Sequence, residues 1–439
     1  MKRKSTKILL FLLLFFCVAI GFDSASYAKA TYKVTPKTLA KVAKKKYGAK
    51  WSTSNTQHYL GFNLYMKKLS KAGGGTLVVG KGTYKLSNPI QIPSNITIKF
   101  QDGVTLKKVM STGVSYKASS ILIAFCPEKD YQKKAVYGKY NCSKNVKLIA
   151  EDGAKVVFDL GYNKDVLGLV VAHNNNVEIA GITFKGLNGK HYIELNGTKN
   201  ASIHDCYFGP NKKSTVAKLY NKEAVNIDLA DSKVGGIGVS YVKQDKTPCK
   251  NVEVYNNVFD GCGRGLGSHK FSQTSSGKNI YHENITVKGN TFKNNYDNGL
   301  FMLNWKNTTI TDNKFYHIGN SSKMKTTFTA HGIAGSGLIG ITITGNHFEK
   351  IGKNPIYFMY KENVIRGAGY KGIKLYITPE ETELMVNNTA TDCGEPHNEK
   401  YAGYEVVYFR NNGKSAKENA VAVDFDNGEV NYDFVTKKK

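Results

Sequence analysis

Apolar and polar residues alternate in short runs through the middle of the chain, and Gly, Pro and Asn interrupt the runs. The clearest stretch, GTLVVGKGTYKLSNPIQIPSNITIKFQDGVTLKK, begins at Gly75. Alternation with a period of two residues predicts short β-strands, and the interrupting residues predict tight turns between them. This part of the chain is therefore predicted to be all-β.

A second pattern shows that the strands belong to a repeat. A unit of the form N-x-x-I-x-x-N-x-F recurs, as in NVEIAGITF, NASIHDCYF, NVEVYNNVF and NITVKGNTF. Its phenylalanines are Phe184, Phe208, Phe259, Phe292, Phe315 and Phe348. The phenylalanines recur at intervals of roughly twenty to fifty residues, which is typical of solenoid repeats. A single repeat of this length cannot bury its own apolar face, so the repeats stack as coils around one shared core. Asn at the turns tolerates a left-handed backbone and can hydrogen-bond along the stack.

The stretch AGGGTLVVGKGTYKLSNPIQIPSNITIKFQDGVTLKK resembles the N-terminal coil of secreted right-handed parallel β-helix proteins of the pectate-lyase-like superfamily. The resemblance implies a right-handed parallel β-helix and chemistry on extended polysaccharides, performed by lyases, hydrolases or uronate epimerases. The superfamily also includes non-catalytic members. The catalytic motifs of pectate lyases, polygalacturonases and alginate epimerases have no convincing match in this sequence.

The chain divides into four predicted segments. Residues 1–30 have a basic start, an apolar run at 8–20 and the tripeptide Ala28-Lys29-Ala30, which together indicate a secretory signal peptide. Residues 31–72 are predicted to form a helical N-terminal cap, 73–375 the parallel β-helix, and 376–439 a C-terminal β segment that closes it. We therefore expect a secreted, extracellular protein without a membrane span.

The formal net charge of +28 favours acidic partners through long-range attraction. An acidic polysaccharide substrate or an anionic cell-wall polymer fits this charge, whereas nucleic acid is disfavoured because no nucleic-acid-binding motif is present. The alternative is that a lysine-rich secreted protein merely adheres to an anionic wall. Beyond the leader the cysteines are Cys126, Cys142, Cys206, Cys249, Cys262 and Cys393, and the sequence leaves all fifteen of their pairings open.

One strand is predicted after each phenylalanine, and the strands can be aligned. The aligned segments are HYIELN (191–196), EAVNID (223–228), RGLGSH (264–269), NGLFML (298–303), HGIAGS (331–336) and NPIYFM (354–359). We expect the third residue of each segment in the core and the first, fourth and sixth on the outward face, the fourth and sixth because alternate residues of a strand face opposite sides. A slip of one residue would reverse this assignment.

The charged outward residues collect in two adjacent strands, and they form the predicted catalytic group: Glu223, Asp228, Arg264 and His269. Asp228 and His269 would be neighbours about 4.8 Å apart at the backbone. A carboxylate beside an imidazole raises its basicity and suits a general base. Arg264 could hold a uronate carboxylate through two parallel hydrogen bonds and stabilise charge that develops on it.

The surrounding outward positions are the predicted substrate-binding group: His191, Glu194, Asn226, Lys270, Phe301 and Tyr357. Gly267 lies between the charged residues and is expected to open the floor for a sugar ring. The long connection from Asp231 to Pro248 is expected to be a functional loop. No metal ligands are predicted, and Ca²⁺ stays possible although no ligand spacing indicates it.

Three functions remain open from the sequence. The first, which the sequence favours, is a polysaccharide lyase that acts by β-elimination on an anionic polysaccharide, and a uronate epimerase would use the same site. The second is an inverting glycoside hydrolase, because Glu194 and Asp228 would lie diagonally at the about 6.5–9.5 Å that such a pair needs. The third is a non-catalytic protein that binds wall polymer or exopolysaccharide, in which His191, Glu223 and Arg264 form only a ladder of surface charge pairs worth about 0–1 kcal/mol each.

Overall fold

The computed structural model describes residues 30–212, 222–268, 270–319, 330–359, 370, 375–393, 405–409 and 420–434. Three long sheets, called sheets I, II and III here, run along the stack of coils. Each complete coil contributes one strand to sheet I, then one to sheet II and then one to sheet III, and neighbouring coils pair in parallel. The predicted parallel β-helix is confirmed.

The strands of sheets I and II have the following bounds. Sheet I contains Ala30–Val34, Gly75–Val79, Ile96–Phe100, Lys144–Ala150, Asn175–Ala180, Lys199–His204, Lys250–Tyr255, His282–Lys288, Trp305–Thr311 and Ile339–Thr344. Sheet II contains Gly82–Leu86, Val104–Lys108, Val156–Asp159, Ile182–Lys185, Tyr207–Phe208, Val258–Asp260, Thr291–Lys293, Lys314–Ile318, His347–Ile351 and Thr389–Thr391.

Sheet III carries the predicted site. It contains Ile90–Gln91, Ile121–Ala124, Leu167–Ala172, Ile193–Asn196, Glu223–Asp228, Arg264–Gly267, Leu300–Leu303, Ile333–Ser336, Ile356–Phe358, Val406–Phe409, Ala420–Val423 and Val430–Phe434. Its last strands pair antiparallel. A separate antiparallel hairpin, Ser272–Gln273 with Asn279–Ile280, lies outside the three sheets.

The repeated phenylalanines form a stack inside the coils. From Phe184 to Phe348, successive ring centroids lie 4.7–4.9 Å apart with nearly parallel planes. This separation equals the spacing between adjacent strands, so each coil places one ring directly above the last. The repeat therefore identifies the core correctly.

Asparagines that precede these phenylalanines connect the coils by hydrogen bonds. The backbone N–H of Asn257 donates to Oδ1 of Asn290, 3.0 Å away, and Asn290 relates to Asn313 in the same way at 2.9 Å. The series continues through Asn346 to Asn388. These buried amides satisfy backbone groups at turns that the sheets leave unpaired.

The N-terminal end of the stack is covered by two helices, α1 (Pro36–Tyr47) and α2 (Gln57–Lys71). Residues 31–34, expected to belong to the helical cap, and residue 30, expected to end the signal peptide, instead form a strand that pairs with Gly75–Val79 and extends sheet I. Near the other end, helix α3 (Pro379–Met385) precedes the last strands. Among the described residues, the helices are too short or too polar to cross a membrane.

Candidate catalytic site on sheet III

The register of sheet III matches the alignment of the repeated segments. Val225 lies between Ile193 and Leu266, and Leu300 pairs with Ile333 in the same row. All of these residues are fully buried in the core. The outward column that begins with Glu194 and Asn226 continues through Gly267, Phe301, Ala334 and Tyr357. The predicted orientation of each of these strands is therefore confirmed.

The outward face is not the open surface that the sequence suggested. Glu223, Asn226 and Asp228 are 0% exposed, and Arg264 and Lys270 are 6% and 8% exposed. Water is thus largely excluded from a group of charged side chains. Charged side chains are rarely buried unless they are paired or serve a function. The ion-pair partners of these side chains and their chemical role therefore both have to be identified.

Part of the cover is the connection 231–248. Lys270 Nζ donates to the carbonyl oxygen of Gly236 in this connection, 2.7 Å away, and lies 4.0 Å from Asp228 Oδ2. Val234 packs with Phe271 and Phe301 in a small apolar cluster above sheet III. The long loop singled out in the sequence therefore lies directly over the predicted site.

Asp231 holds this cover in place. Its Oδ2 accepts hydrogen bonds from Ser272 Oγ at 2.6 Å and from the hydroxyl of Tyr370, and Lys246 Nζ lies 3.9 Å away. Burial tends to raise the pKa of Asp231, but the hydrogen bonds from Ser272 and Tyr370 outweigh it and lower the pKa. An ionised carboxylate thus connects the start of the connection to two other segments.

Arg264 forms the central ion pairs of the site. Its Nη1 donates to Glu223 Oε1 at 3.0 Å, its Nε donates to Asp297 Oδ2 at 2.6 Å, and its guanidinium carbon lies 4.0 Å from the Phe301 ring centroid. Burial opposes the charged form, but Asp297 and Glu223 outweigh burial and raise the pKa of Arg264. The charge pairs that the sequence allowed to be a surface ladder are therefore buried. Nε and Nη1 of Arg264 already bind carboxylates of the protein, so the guanidinium cannot offer both of them to a uronate.

The third guanidinium nitrogen is different. Among the described residues, Nη2 of Arg264 has no hydrogen-bond partner. Two carboxylates and an aromatic ring fix the plane of the guanidinium, so this nitrogen has a defined direction. It is the donor of Arg264 that a ligand could use.

Two further carboxylates meet at a single amide. Asn226 Nδ2 donates to Glu194 Oε2 at 2.9 Å and to Asp228 Oδ2 at 3.3 Å. Asn196 Nδ2 donates to the other oxygen of Glu194 at 3.1 Å. Hydrogen bonds of this kind favour the ionised carboxylate.

This arrangement corrects the proposed inverting pair. Because one nitrogen contacts an oxygen of each carboxylate, those oxygens lie closer together than the about 6.5–9.5 Å that an inverting pair needs. The Asn226 amide nitrogen lies within hydrogen-bonding distance of both oxygens. Glu194 and Asp228 are near each other as expected, but not in that geometry.

His191 joins the two groups of carboxylates. Its Nδ1 lies 2.6 Å from the backbone oxygen of Glu223, and because a carbonyl only accepts, Nδ1 carries a proton. Its Nε2 lies 3.7 Å from Glu194 Oε2. His191 thus lies beside Glu223, as the aligned columns predicted, and also beside Glu194.

Gly267 does not open a floor for a sugar. A Cβ at this position would lie 2.0 Å from the backbone oxygen of Phe301, and its φ of +157° is one that side chains rarely adopt. The glycine is required because the adjacent strand approaches closely. The expectation of an open floor is therefore wrong.

The two aromatic residues of the predicted groove differ in exposure. Phe301 is 6% exposed and lies beneath the Arg264 guanidinium. Tyr357 is half-buried and stacks on His331, with ring centroids 4.6 Å apart. Burial lowers the pKa of His331 to about 3, so its ring is neutral at ordinary pH. Tyr357 is thus the more exposed of the two aromatic side chains.

His269, the predicted general base, lies outside the described residues. Its proposed pairing with Asp228 stays a prediction. Among the described residues, no group of three or more His, Cys, Asp or Glu side chains is arranged to hold a metal ion.

Sequence reasoning missed Asp297. It lies just before the aligned segment that starts at Asn298, in a DNG sequence that reads as a turn. The structure places it fully buried against Arg264, and its charge also opposes the burial that lowers the pKa of Lys353. An Asp directly before an outward Asn and Gly was the available signal.

Comparisons with known proteins agree with this architecture. A family described as right-handed β-helix region matches residues 162–315. The chain is a right-handed parallel β-helix protein. It has the architecture that the pectate-lyase-like superfamily shares.

Individual relatives are distant. The chain is 20% identical over 398 residues to plasmin and fibronectin-binding protein A of Streptococcus pneumoniae, covering 82% of this chain and 51% of that protein. The chain thus spans about half the length of this curated relative. The solved structure of the pneumococcal surface protein and adhesin PfbA aligns with a TM-score of 0.56 and 17% identity, over 83% of this chain and 88% of that one.

An exopolygalacturonase from Thermotoga maritima aligns with a TM-score of 0.47 and 13% identity, over 74% of this chain and 75% of that one. At 17% identity the PfbA structure supports the β-helix fold and nothing about activity. The function has to be argued from the side chains of sheet III.

Proposed function

We propose that this β-helix protein is a glycan-cleaving enzyme with its catalytic centre on the outward face of sheet III. The observation that carries the proposal is the Glu194–Asn226–Asp228 arrangement, in which two carboxylates on adjacent strands share one amide donor. An ionised, oriented carboxylate is the group that glycoside cleavage needs beside the anomeric carbon. The inward side chains of these two strands are apolar core residues, so the outward face is the side of the strands that carries chemistry.

The described side chains support hydrolysis before β-elimination. Carboxyl groups are the residues that glycoside hydrolysis uses at the reacting bond, and Glu194, Glu223, Asp228 and Asp297 are all buried on or beside this face. The base that β-elimination would need, His269, lies outside the described residues.

In the proposed reaction the glycosidic bond between the anomeric carbon and the leaving oxygen breaks. A water molecule supplies the oxygen to that carbon and, in net terms, the proton to the leaving oxygen. Glu194 acts at the anomeric carbon because it is the slightly exposed member of the pair, at 5%. Asp228 acts through Asn226 as a positioning residue.

The substrate reaches the cluster when the connection 231–248 moves aside, and the closed form excludes water. Closure of loops over a reacting bond is a common way to do this. The net charge of +28 attracts anionic glycans to the protein. Secretion to the cell exterior, where such polymers lie, belongs to the same proposal.

The test is a panel of anionic and neutral polysaccharides with product analysis. New reducing ends without an ultraviolet-absorbing unsaturated uronate would support hydrolysis. An unsaturated uronate would instead show the lyase reaction expected from the sequence, with His269 as base. Its loss in a His269→Ala variant would then assign that base.

A second candidate function is adhesion without catalysis. The observation in its favour is the similarity to plasmin and fibronectin-binding protein A along 82% of this chain, combined with a charged ladder that is closed to solvent. Saturable binding of plasmin or fibronectin by a protein that cleaves no glycan in the panel would favour it. Such binding should be unchanged by Glu194→Gln.

A further inference from the structure

Cys126 and Cys142 lie together beneath a loop that the catalytic proposal does not use. Cys126 follows the strand Ile121–Ala124 of sheet III, and Cys142 precedes the strand Lys144–Ala150 of sheet I. They are 0% and 4% exposed and belong to the same apolar cluster. The two cysteines therefore mark the two ends of the loop 127–141.

The backbone fixes both cysteines against one neighbouring coil. The N–H of Phe125 donates to the oxygen of Val170 at 3.0 Å, and the N–H of Cys142 donates to the oxygen of His173 at 2.8 Å. Cys142 Sγ lies 3.2 Å from the oxygen of Phe125, which belongs to the peptide group that joins Phe125 to Cys126. The sulfur of one cysteine thus reaches the backbone of the other.

Cys142 also affects the ionisation of the Cys126 thiol. A hydrogen bond with Cys142 and burial together raise the pKa of the Cys126 thiol. Both thiols lie in one buried cluster at the two ends of a short loop, and Cys142 Sγ is 3.2 Å from the peptide group that leads into Cys126, which makes them candidate partners for a disulfide.

The remaining cysteines belong to a different apolar cluster, the main core inside the coils, with Cys393 half-buried against it. Each of them points its Sγ at a backbone carbonyl of a stacked coil, 3.4–3.8 Å away: Cys206 at Ile179, Cys249 at Asp228, Cys262 at Phe208 and Cys393 at Phe348. Cys206 and Cys262 lie where their own N–H groups donate to Asn257 and Asn295 of the next coil. They behave as small buried side chains within the stack.

We propose that Cys126 and Cys142 form a disulfide in the mature protein. The two S–H bonds break and one S–S bond forms, with loss of two protons and two electrons to an external disulfide such as oxidised glutathione, which becomes two thiols. A low-molecular-weight disulfide or a protein thiol oxidase of an oxidising compartment supplies this oxidant.

The cross-link braces the cover of sheet III from one side. The loop 127–141 pairs with the connection 231–248: Ala135 N–H donates to the oxygen of Ser240 at 2.7 Å, and Lys243 N–H donates to the oxygen of Tyr137 at 2.8 Å. Lys139 N–H also donates to Asp245 Oδ2 at 2.8 Å. Fixing the ends of one loop therefore restricts the movement of the other.

The test is a peptide map of the full-length protein, prepared without reductant and alkylated on denaturation. Trypsin releases residues 118–129, which contain Cys126, and 140–144, which contain Cys142. We expect a linked species whose mass is lower than that of the two peptides by two hydrogen atoms and which separates on reduction. Cys206, Cys249, Cys262 and Cys393 should carry the alkyl label and act as internal controls.

Refolding with oxidised glutathione provides the second arm. The disulfide should form in the folded protein, so that the linked peptide is recovered from it. The disulfide should also slow tryptic cleavage of the folded protein after Lys133 and Lys139 relative to the reduced protein. A Cys126→Ala/Cys142→Ala variant should be cleaved at the faster rate whether or not reductant is present. Recovery of both peptides as alkylated monomers in both preparations would overturn the proposal, and so would a link from Cys126 to another cysteine.

Discussion

Asn226 Nδ2 lies 2.9 Å from Glu194 Oε2, on the neighbouring strand of sheet III. The same nitrogen reaches Asp228, so one neutral amide separates two buried acidic groups. A neutral donor is needed at this point because a third carboxylate would add repulsion where water cannot screen it.

Asn226→Asp should therefore destabilise the protein at neutral pH and lower any glycan-cleaving activity. The loss of stability should shrink as the pH falls, because protonation of the carboxyl groups removes their repulsion. Denaturation midpoints between pH 7 and pH 4 measure this. Asn284→Asp, at an exposed position of the outer asparagine ladder, is the matched control and should change little. Equal effects of the two substitutions would contradict this account.

The Arg264 ion pairs give a second prediction. Asp297→Ala leaves a buried guanidinium with Glu223 as its remaining carboxylate, and should lower the free energy of unfolding by about 3–5 kcal/mol. The half-exposed pair of Lys250 and Glu283 is the control, and Glu283→Ala should cost about 0–1 kcal/mol. Chemical denaturation of both variants checks the difference. A loss at Asp297 no larger than that at Glu283 would show that the buried pairs do not hold sheet III together.

Gly267 is predicted to tolerate no side chain. Gly267→Ala would place a Cβ 2.0 Å from a backbone oxygen of the next strand, so the two coils would have to separate. We expect poor yields of folded protein and a lower melting temperature. Gly238→Ala, where a Cβ meets nothing within 4 Å, should express and melt as the wild type does. If the Gly267→Ala variant melts at the wild-type temperature, the strand of Phe301 does not approach Gly267 as closely as described.

The buried histidines predict loss of stability in acid. Burial lowers the pKa of His282 and His331 to about 3, below the ordinary value of 6.5. The unfolded chain therefore binds more protons than the folded one once the pH falls below about 6.5, so stability decreases from there towards pH 3. Urea midpoints across this range measure the slope. His331→Asn, which keeps a donor for the oxygen of Asn354, should make the slope shallower. Parallel slopes would exclude a contribution from His331.

The coil register could be predicted from the sequence because identical features recur at each turn. The phenylalanine and asparagine of every repeat fix the same inward and turn positions, so the alignment of Val225 with Leu266 followed directly. Strand direction is determined by this repetition, and a slip would have exposed the whole apolar row.

The burial of the site could not be predicted in the same way. It depends on the connection 231–248, whose sequence has no repeat and whose position is determined by single contacts such as Lys270 with Gly236 and Asp231 with Ser272. Asp297 was missed for a related reason, since a DNG sequence favours a turn and gives no sign of a distant arginine. Long-range pairs between non-repeating segments leave no periodic signal.

The most direct test of the catalytic centre compares Glu194→Gln with Glu283→Gln, which changes a half-exposed glutamate on sheet I, in the polysaccharide panel. Circular dichroism should first show that both variants are folded. The account predicts that the wild type and the Glu283 variant cleave the same glycan, whereas the Glu194 variant is slower by about 10²–10⁴-fold. Cleavage by the folded Glu194 variant at the wild-type rate, or no cleavage of any glycan by the wild type, would contradict it.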